Sequence, residues 1–163
     1  MLKHYRNGGK ILQIGVLNIE LQIMTEFISD IKTIPHGNRI IYETLADLNN
    51  LEKLKDRIPS DKIENFTFDS DSCSFSINPV GKVRFSIVER EPQKTIKLTA
   101  DQSPVEVTMW IQLKETAEQE TKMKLTIKAD LNPFIKPMLS KPLQEGINQI
   151  ADILAKIPYE IRT

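Results

Sequence analysis

Residues 104–157 read PVEVTMWIQLKETAEQETKMKLTIKADLNPFIKPMLSKPLQEGINQIADILAKI, and the hydrophobic period changes once along them, from two to about 3.6. In the first part Val105, Val107, Met109, Ile111 and Leu113 alternate with Glu106, Thr108, Gln112 and Lys114. Met123, Leu125, Ile127, Ala129 and Leu131 then alternate with Lys122, Lys124, Thr126, Lys128 and Asp130. Strands patterned in this way have one dry face and one wet face. In the second part Leu143, Ile147, Ile150, Ala151 and Leu154 fall on one stripe of a helix, with Gln144, Glu145, Asn148 and Asp152 mostly away from it. Each Leu, Ile or Phe left in water forgoes about 1.5–3 kcal/mol, so the helix is expected to cover the dry face. The join is rich in proline. Pro133 suits a first helical position after Asn132, where its missing N–H is harmless. Pro137 and Pro142 cannot both be ordinary helix interior, because each deletes a backbone bond at about 3 kcal/mol. Residues 132–142 therefore read as a kinked or broken lead-in, with the regular helix starting near Pro142 and capped by Ser140.

Working upstream, the period-two texture extends back to Pro59. KIENFTFD (62–69), SCSFSIN (72–78), KVRFSIVER (82–90) and KTIKLTA (94–100) are separated by DSDS, NPVG and EPQ, with DQS and TAEQE around the strands that follow. A parallel crossover needs a dozen or more residues, so these links predict an antiparallel meander. Its dry side adds Cys73, Phe75, Ile77, Val83, Phe85, Ile87, Ile96, Leu98 and Ala100. Before the meander, EFISDIKTI (26–34) is predicted as a strand with Phe27, Ser29, Ile31 and Thr33 on one face. After Pro35-His36-Gly37, Ile40, Ile41, Leu45, Leu48, Leu51 and Leu54 recur at helical spacing. Asn38 is the expected N-cap there, and Asn49-Asn50 suggest two short helices with a bend.

A chain of 163 residues predicts one domain. Its 22 basic and 22 acidic residues cancel, so no overall field would gather nucleic acid or anionic lipid. A lone cysteine, Cys73, makes neither an internal disulfide nor a cysteine-based zinc site, and it fits the cytoplasm. Near the N-terminus, Gln13, Asn18, Glu20 and Gln22 interrupt the apolar run that follows MLKHYRNGGK, and that run is too short to span a bilayer. Residues 1–23 are expected to be an extension, either a misread start ahead of Met24 or an added element, with 24–160 as the single domain.

This order of strand, two short helices, six-stranded meander and long terminal helix resembles the START-like or SRPBCC superfamily, in particular its bacterial polyketide cyclase/dehydrase-like members. The similarity runs over about residues 25–157, with local texture in ISDIKTIPHGNRIIYETLADLNNL and NPFIKPMLSKPLQEGINQIADIL. It implies an α+β helix-grip fold, in which a curved antiparallel sheet wraps a long C-terminal helix and a pocket for an apolar or amphipathic molecule lies between them. Carried onto this chain, the expected ligand-lining residues are Phe75, Phe85, Ile87, Met109, Ile111, Leu125, Phe134, Met138 and Ile147. Phe134, Ile135, Met138 and Leu139 would form either a flap over the mouth or a fixed kink. A rigid empty cavity of ~300 Å³ would cost roughly 7 kcal/mol, so a pocket lined this bulkily should be small, wet or filled.

Candidates for chemistry are sparse. Glu89 is read as continuing the Val83, Phe85, Ile87 face, Ser29 and Thr33 as lining the first strand, and His36 as a turn residue. His4 is the only other histidine, so neither a metal site nor a catalytic triad is expected. Cys73 reads as a buried, inert thiol. Trp110 stands out of pattern on the wet face, shielded by neighbours such as a long lysine stem or else forming a homodimer or partner contact. The expected function is binding or carriage of a small hydrophobic molecule without chemistry, cofactor, metal, nucleic acid or transmembrane segment. The alternatives are a cyclase- or dehydratase-type enzyme and an interaction module with a collapsed pocket.

Overall fold

The computed structural model describes residues 24–57, 63–77, 81–102 and 105–159. The expectations for residues 1–23, Pro59, Ile77's side chain, the Asn78–Val80 turn and residues 103–104 lie outside the described residues. An antiparallel sheet is built from β1 (Met24–Ile28), β2 (Lys32–Ile34), β3 (Ile63–Phe68), β4 (Ser72–Ile77), β5 (Gly81–Glu91), β6 (Thr95–Gln102), β7 (Val107–Ala117) and β8 (Glu120–Asp130). The order across the sheet is β1-β8-β7-β6-β5-β4-β3, and β2 also pairs with β8. The six strands β3 to β8 thus form the expected meander, closed at one edge by the first strand returning to β8. α1 (Asn38–Leu45) and a 3-10 helix (Leu48–Arg57) follow β2, and α2 (Lys136–Ala155) ends the fold. α2 packs principally on β8, β1 and β2, α1 on β7, and the 3-10 helix on β3.

The dry face is as the alternation predicts over β7 and β8. Val107, Met109, Ile111 and Leu113 are buried, as are Met123, Leu125, Ile127 and Ala129. The stripe on α2 is Leu139, Ile147, Ala151 and Leu154, with Leu143 and Ile150 partly buried beside it.

Three local expectations are corrected. The first strand is not continuous. Ile28 pairs with Thr126 and Lys32 with Met123, so β1–β2 holds one more residue than β8 opposite it. Ser29 fixes this irregularity: its N–H donates to the Leu125 carbonyl at 2.9 Å, its Oγ accepts from the Leu125 N–H at 2.9 Å and donates to the Asp30 carbonyl. The slip turns Ile31 outward and puts Ile34 in the core. A side chain committed in this way does not line a site, and Thr33, on the outer face, accepts from Lys122 Nζ.

At the start of α1 the cap is Gly37 and not Asn38, and the Asn38 N–H donates to Glu115 Oε1 at 3.0 Å. A Cβ on residue 37 would sit 3.1 Å from that oxygen and 3.3 Å from the Glu118 carbonyl, so the absent side chain lets the carboxylate approach. The bend after α1 is made by Asp47, whose Oδ1 accepts from the Asn49 N–H, and by Asn50, whose amide donates to the Thr44 carbonyl. Two short helices with a bend are therefore present as read.

The third correction concerns α2, which begins at Lys136 and not near Pro142. Asn132 organises the lead-in: its Oδ1 accepts from the N–H groups of Phe134 and Ile135, and its carbonyl accepts from Lys136 N–H. Pro137 sits in the first turn, where a proline is harmless. Pro142 alone is interior, and it supplies no N–H to the Met138 carbonyl. Ser140 caps nothing; its Oγ donates to the Lys136 carbonyl at 2.7 Å.

Candidate functional site: the inner face of the sheet

The register of the strands lays the inner side chains out in rows. One row runs Phe27, Ile127, Met109, Leu98, Ile87, all large. The next row, toward the end where β1 starts, holds Thr25, Ala129 and Val107 on β1, β8 and β7. It continues through Ala100, Phe85, Cys73 and Phe68 on β6 to β3. Ala100 is assigned to it because Thr99 pairs with Thr108 and residue 100 is next. Small side chains therefore fill the middle of a row whose neighbour is bulky.

Four phenylalanines close the far side of this row. Phe66 and Phe68 meet edge to face with centroids 5.5 Å apart, Phe66 stacks on Phe75 at 5.8 Å, and Phe75 on Phe85 at 6.2 Å. The one-residue irregularity in β3 between Glu64 and Thr67, with Asn65 at φ 55°, accompanies this arrangement. Phe66, Phe68, Phe75, Ile87 and Ala100 are only partly buried, while Leu125 opposite α2 is fully buried. Of the expected lining residues, Phe85, Met109, Ile111, Leu125 and Ile147 are buried on the inner side, and Phe75 and Ile87 half-buried there. Phe134 and Met138 stand apart from them, 90% and 57% exposed at the start of α2.

Polar groups at the inner face are few. One buried side-chain atom among the described residues is an orphan: Thr25 Oγ1 has no hydrogen-bond partner. Thr25 lies on the inner side of β1, two residues from Phe27, and neither its period nor its residue type singled it out in the sequence. Burial pushes the Cys73 thiol up to about 11, so at neutral pH it is a poor nucleophile. Burial also raises the phenol of Tyr159, whose hydroxyl donates to the Leu154 carbonyl at 2.6 Å. The His36 ring lies 5.9 Å from that of Tyr159, and its carbonyl accepts from Thr121 Oγ1, so the residue anchors the loop to β8.

Glu89 is corrected. β5 carries an extra residue between Ile87 and Glu89, so Glu89 pairs with Lys97 on the outer face and Arg90 takes the inner position opposite Ile96. Arg90 then ties β5 to two loops, donating to the Ala46 carbonyl at 3.0 Å, to the Ser70 carbonyl and to Asp71 Oδ1 at 2.7 Å. Nearby, the N–H groups of Asp71 and Ser72 donate to Asp69 and hold its carboxyl below its ordinary value. On the outer face, Lys97 and Lys128 lie over the Trp110 ring at 5.7 and 5.8 Å, the lysine shielding named as one expectation. Among the described residues no group of His, Cys, Asp and Glu is placed to hold a metal, and no helix is long and apolar enough to cross a membrane.

No family model and no curated protein sequence matches the chain. Solved structures do match. Norcoclaurine synthase from Thalictrum flavum, in complex with dopamine and hydroxybenzaldehyde, superposes with a TM-score of 0.65 at 13% identity, over 89% of this chain and 93% of that one. A START superfamily protein from Mycobacterium smegmatis gives 0.63 at 10% identity, over 85% and 99%. A protein from Thermus thermophilus gives 0.58 at 18% identity, over 81% and 95%. The sheet order, the position of α2 and these superpositions agree: the chain has a START-like helix-grip fold.

Proposed function

We propose that this protein binds and carries a small hydrophobic molecule, without chemistry, between the inner face of the sheet and α2, and that it works in the cytoplasm. The observation that carries this reading is the uneven closure of one apolar face. Phe66, Phe68, Phe75, Ile87 and Ala100 point inward yet keep part of their surface accessible. At the corresponding end of α2, Ile135 and Leu143 are likewise only partly buried. A folded chain gains about 25 cal/mol per Å² by burying such surface, so an apolar guest completes what the fold leaves open. Pre-formed, mostly apolar concave surfaces of this kind bind by area and orient the guest by a few polar groups.

The test is native mass spectrometry of the protein purified from its own host, followed by solvent extraction. A stoichiometric apolar or amphipathic compound supports the reading. Repeated recovery of the bare chain, together with no change in unfolding temperature across a panel of apolar probes, overturns it.

A further inference from the structure

We infer that the molecule held here is an elongated amphipath whose single polar end is hydrogen-bonded by Thr25; this rests on the binding reading above and specifies its ligand. Two independent features meet in one row of the sheet. One is the run of small side chains, Ala129, Val107 and Ala100, beside the bulky row of Ile127, Met109 and Leu98. Such a step in side-chain size forms a shallow trough across the strands. From β1 to β5 it crosses four inter-strand steps, each about 4.8 Å, or about 19 Å in all on a flat sheet. The other feature is what stands at its two ends. The β5 end abuts the Phe85, Phe75, Phe66 stack, a wall suited to an apolar body. The β1 end holds the buried Thr25 hydroxyl, which no group among the described residues satisfies.

A buried hydroxyl without a partner is unfavourable and uncommon in native proteins, so each such group calls for an explanation. A valine of the same shape would avoid the penalty. An oxygen or N–H at the end of an apolar guest would remove it, since a hydroxyl both donates and accepts. The trough is shut at its β1 end in this structure, where Ala129 is fully buried, and α2 packs on β8 and β1. Admission of the polar end requires the first turns of α2 to lift. Pro142 permits this, because residues 136–141 are joined to the rest of the helix without the bond from residue 142 to the Met138 carbonyl.

The experiment uses two probes of one chain length, 1-hexadecanol and hexadecane, delivered from cyclodextrin to the full-length protein and read as rise in unfolding temperature and as bound stoichiometry. The wild type is expected to hold the alcohol about fivefold more tightly than the alkane, the size of one neutral hydrogen bond. Thr25→Val should erase that preference, and Thr25→Ser, which keeps the hydroxyl, should restore it. Equal affinity of the wild type for both probes, or an unchanged preference in Thr25→Val, overturns the assignment of Thr25 while the binding function stands. Failure of both probes to bind removes the function and this inference together.

Discussion

On β8, Met123, Leu125 and Ala129 are wholly buried beneath α2, whereas on β4 and β5 Phe75 and Ile87, facing the same side of the same sheet, keep part of their surface in solvent. The two regions share alternation, hydrophobicity and strand geometry. They differ in what lies above them. α2 runs beside β1 and β2, tied there by Gln144 Nε2 to the Ile28 carbonyl, by the Asp30 N–H to Asn148 Oδ1, and by the Lys32–Asp152 ion pair. Those ties set the helix over one edge of the sheet and leave the β3–β5 arm more lightly covered. The sealed region supplies stability; under the proposed function, the loosely covered one is the surface that a guest meets first.

The largest effect should come from truncating one residue on each side of that divide. Leu125→Ala removes a side chain with no exposed surface and should lower stability by about 4 kcal/mol, within the usual range for buried leucine. Phe75→Ala, from a half-buried site, should cost about 1–2 kcal/mol, well under the ~3–5 kcal/mol of a sealed phenylalanine. Urea titration measures both. A loss at Phe75 as large as that at Leu125 would show that the arm is closed after all. A loss of affinity for apolar probes in Phe75→Ala would sharpen the division further.

Within α2 the same contrast runs along one helix. Residues 145–155 carry the buried Ile147, Ala151 and Leu154, while residues 136–142 carry one buried side chain, Leu139, beside exposed Met138 and the interior proline. Amide exchange should be faster in the first half than in the second, and slower once an apolar probe is bound. Pro142→Ala restores a donor to the Met138 carbonyl and should stabilise the chain by about 1–2 kcal/mol, somewhat under the ~3 kcal/mol measured for prolines in free helix interiors. It should also even out exchange along the helix and slow probe uptake. Equal, strong protection of both halves in the unliganded wild type would refute a liftable first half.

The alternation of β7 and β8 and the stripe of α2 were readable because period and side are properties of the chain itself. Cover is not. Phe134 and Phe75 look equally apolar in the sequence, yet one is almost fully exposed and the other packs in a ring stack. Single-residue slips were likewise invisible: nothing in FISDIKTI or FSIVER marks the extra residue that turns Ile31 out and exchanges Glu89 for Arg90 on the inner face. Ser29, Asp71 and the Leu125 backbone hold these slips through bonds distant in sequence. Thr25 escaped notice for the same reason, since whether a hydroxyl is satisfied depends on neighbours a hundred residues away. The start of α2 was misplaced because Asn132, ten residues before Pro142, organises it.

Thr25→Val also bears on the free protein. Removing an unsatisfied hydroxyl should leave stability unchanged or raise it by up to ~1 kcal/mol, where an ordinary bonded threonine would lose about that much. Thermal unfolding without ligand distinguishes the two outcomes, and a clear loss would mean that the hydroxyl has a partner in solution.

The last effect appears only at alkaline pH and belongs to Cys73, which borders the trough between Phe85 and Phe68. Its ordinary value is 9.0, and burial raises it to about 11. The unfolded chain therefore releases the thiol proton first as pH rises, and stability present below about 9 is lost progressively between about 9 and about 11. Cys73→Ser or Cys73→Ala should flatten that part of the alkaline unfolding curve. At pH 8 the native thiol should react with iodoacetamide far more slowly than in urea, because little thiolate forms and access is poor. If the arm opens to admit a guest, an apolar probe filling the trough should slow the reaction again. A native rate equal to that of the unfolded chain would place Cys73 in open solvent and remove the wall it shares with Phe85.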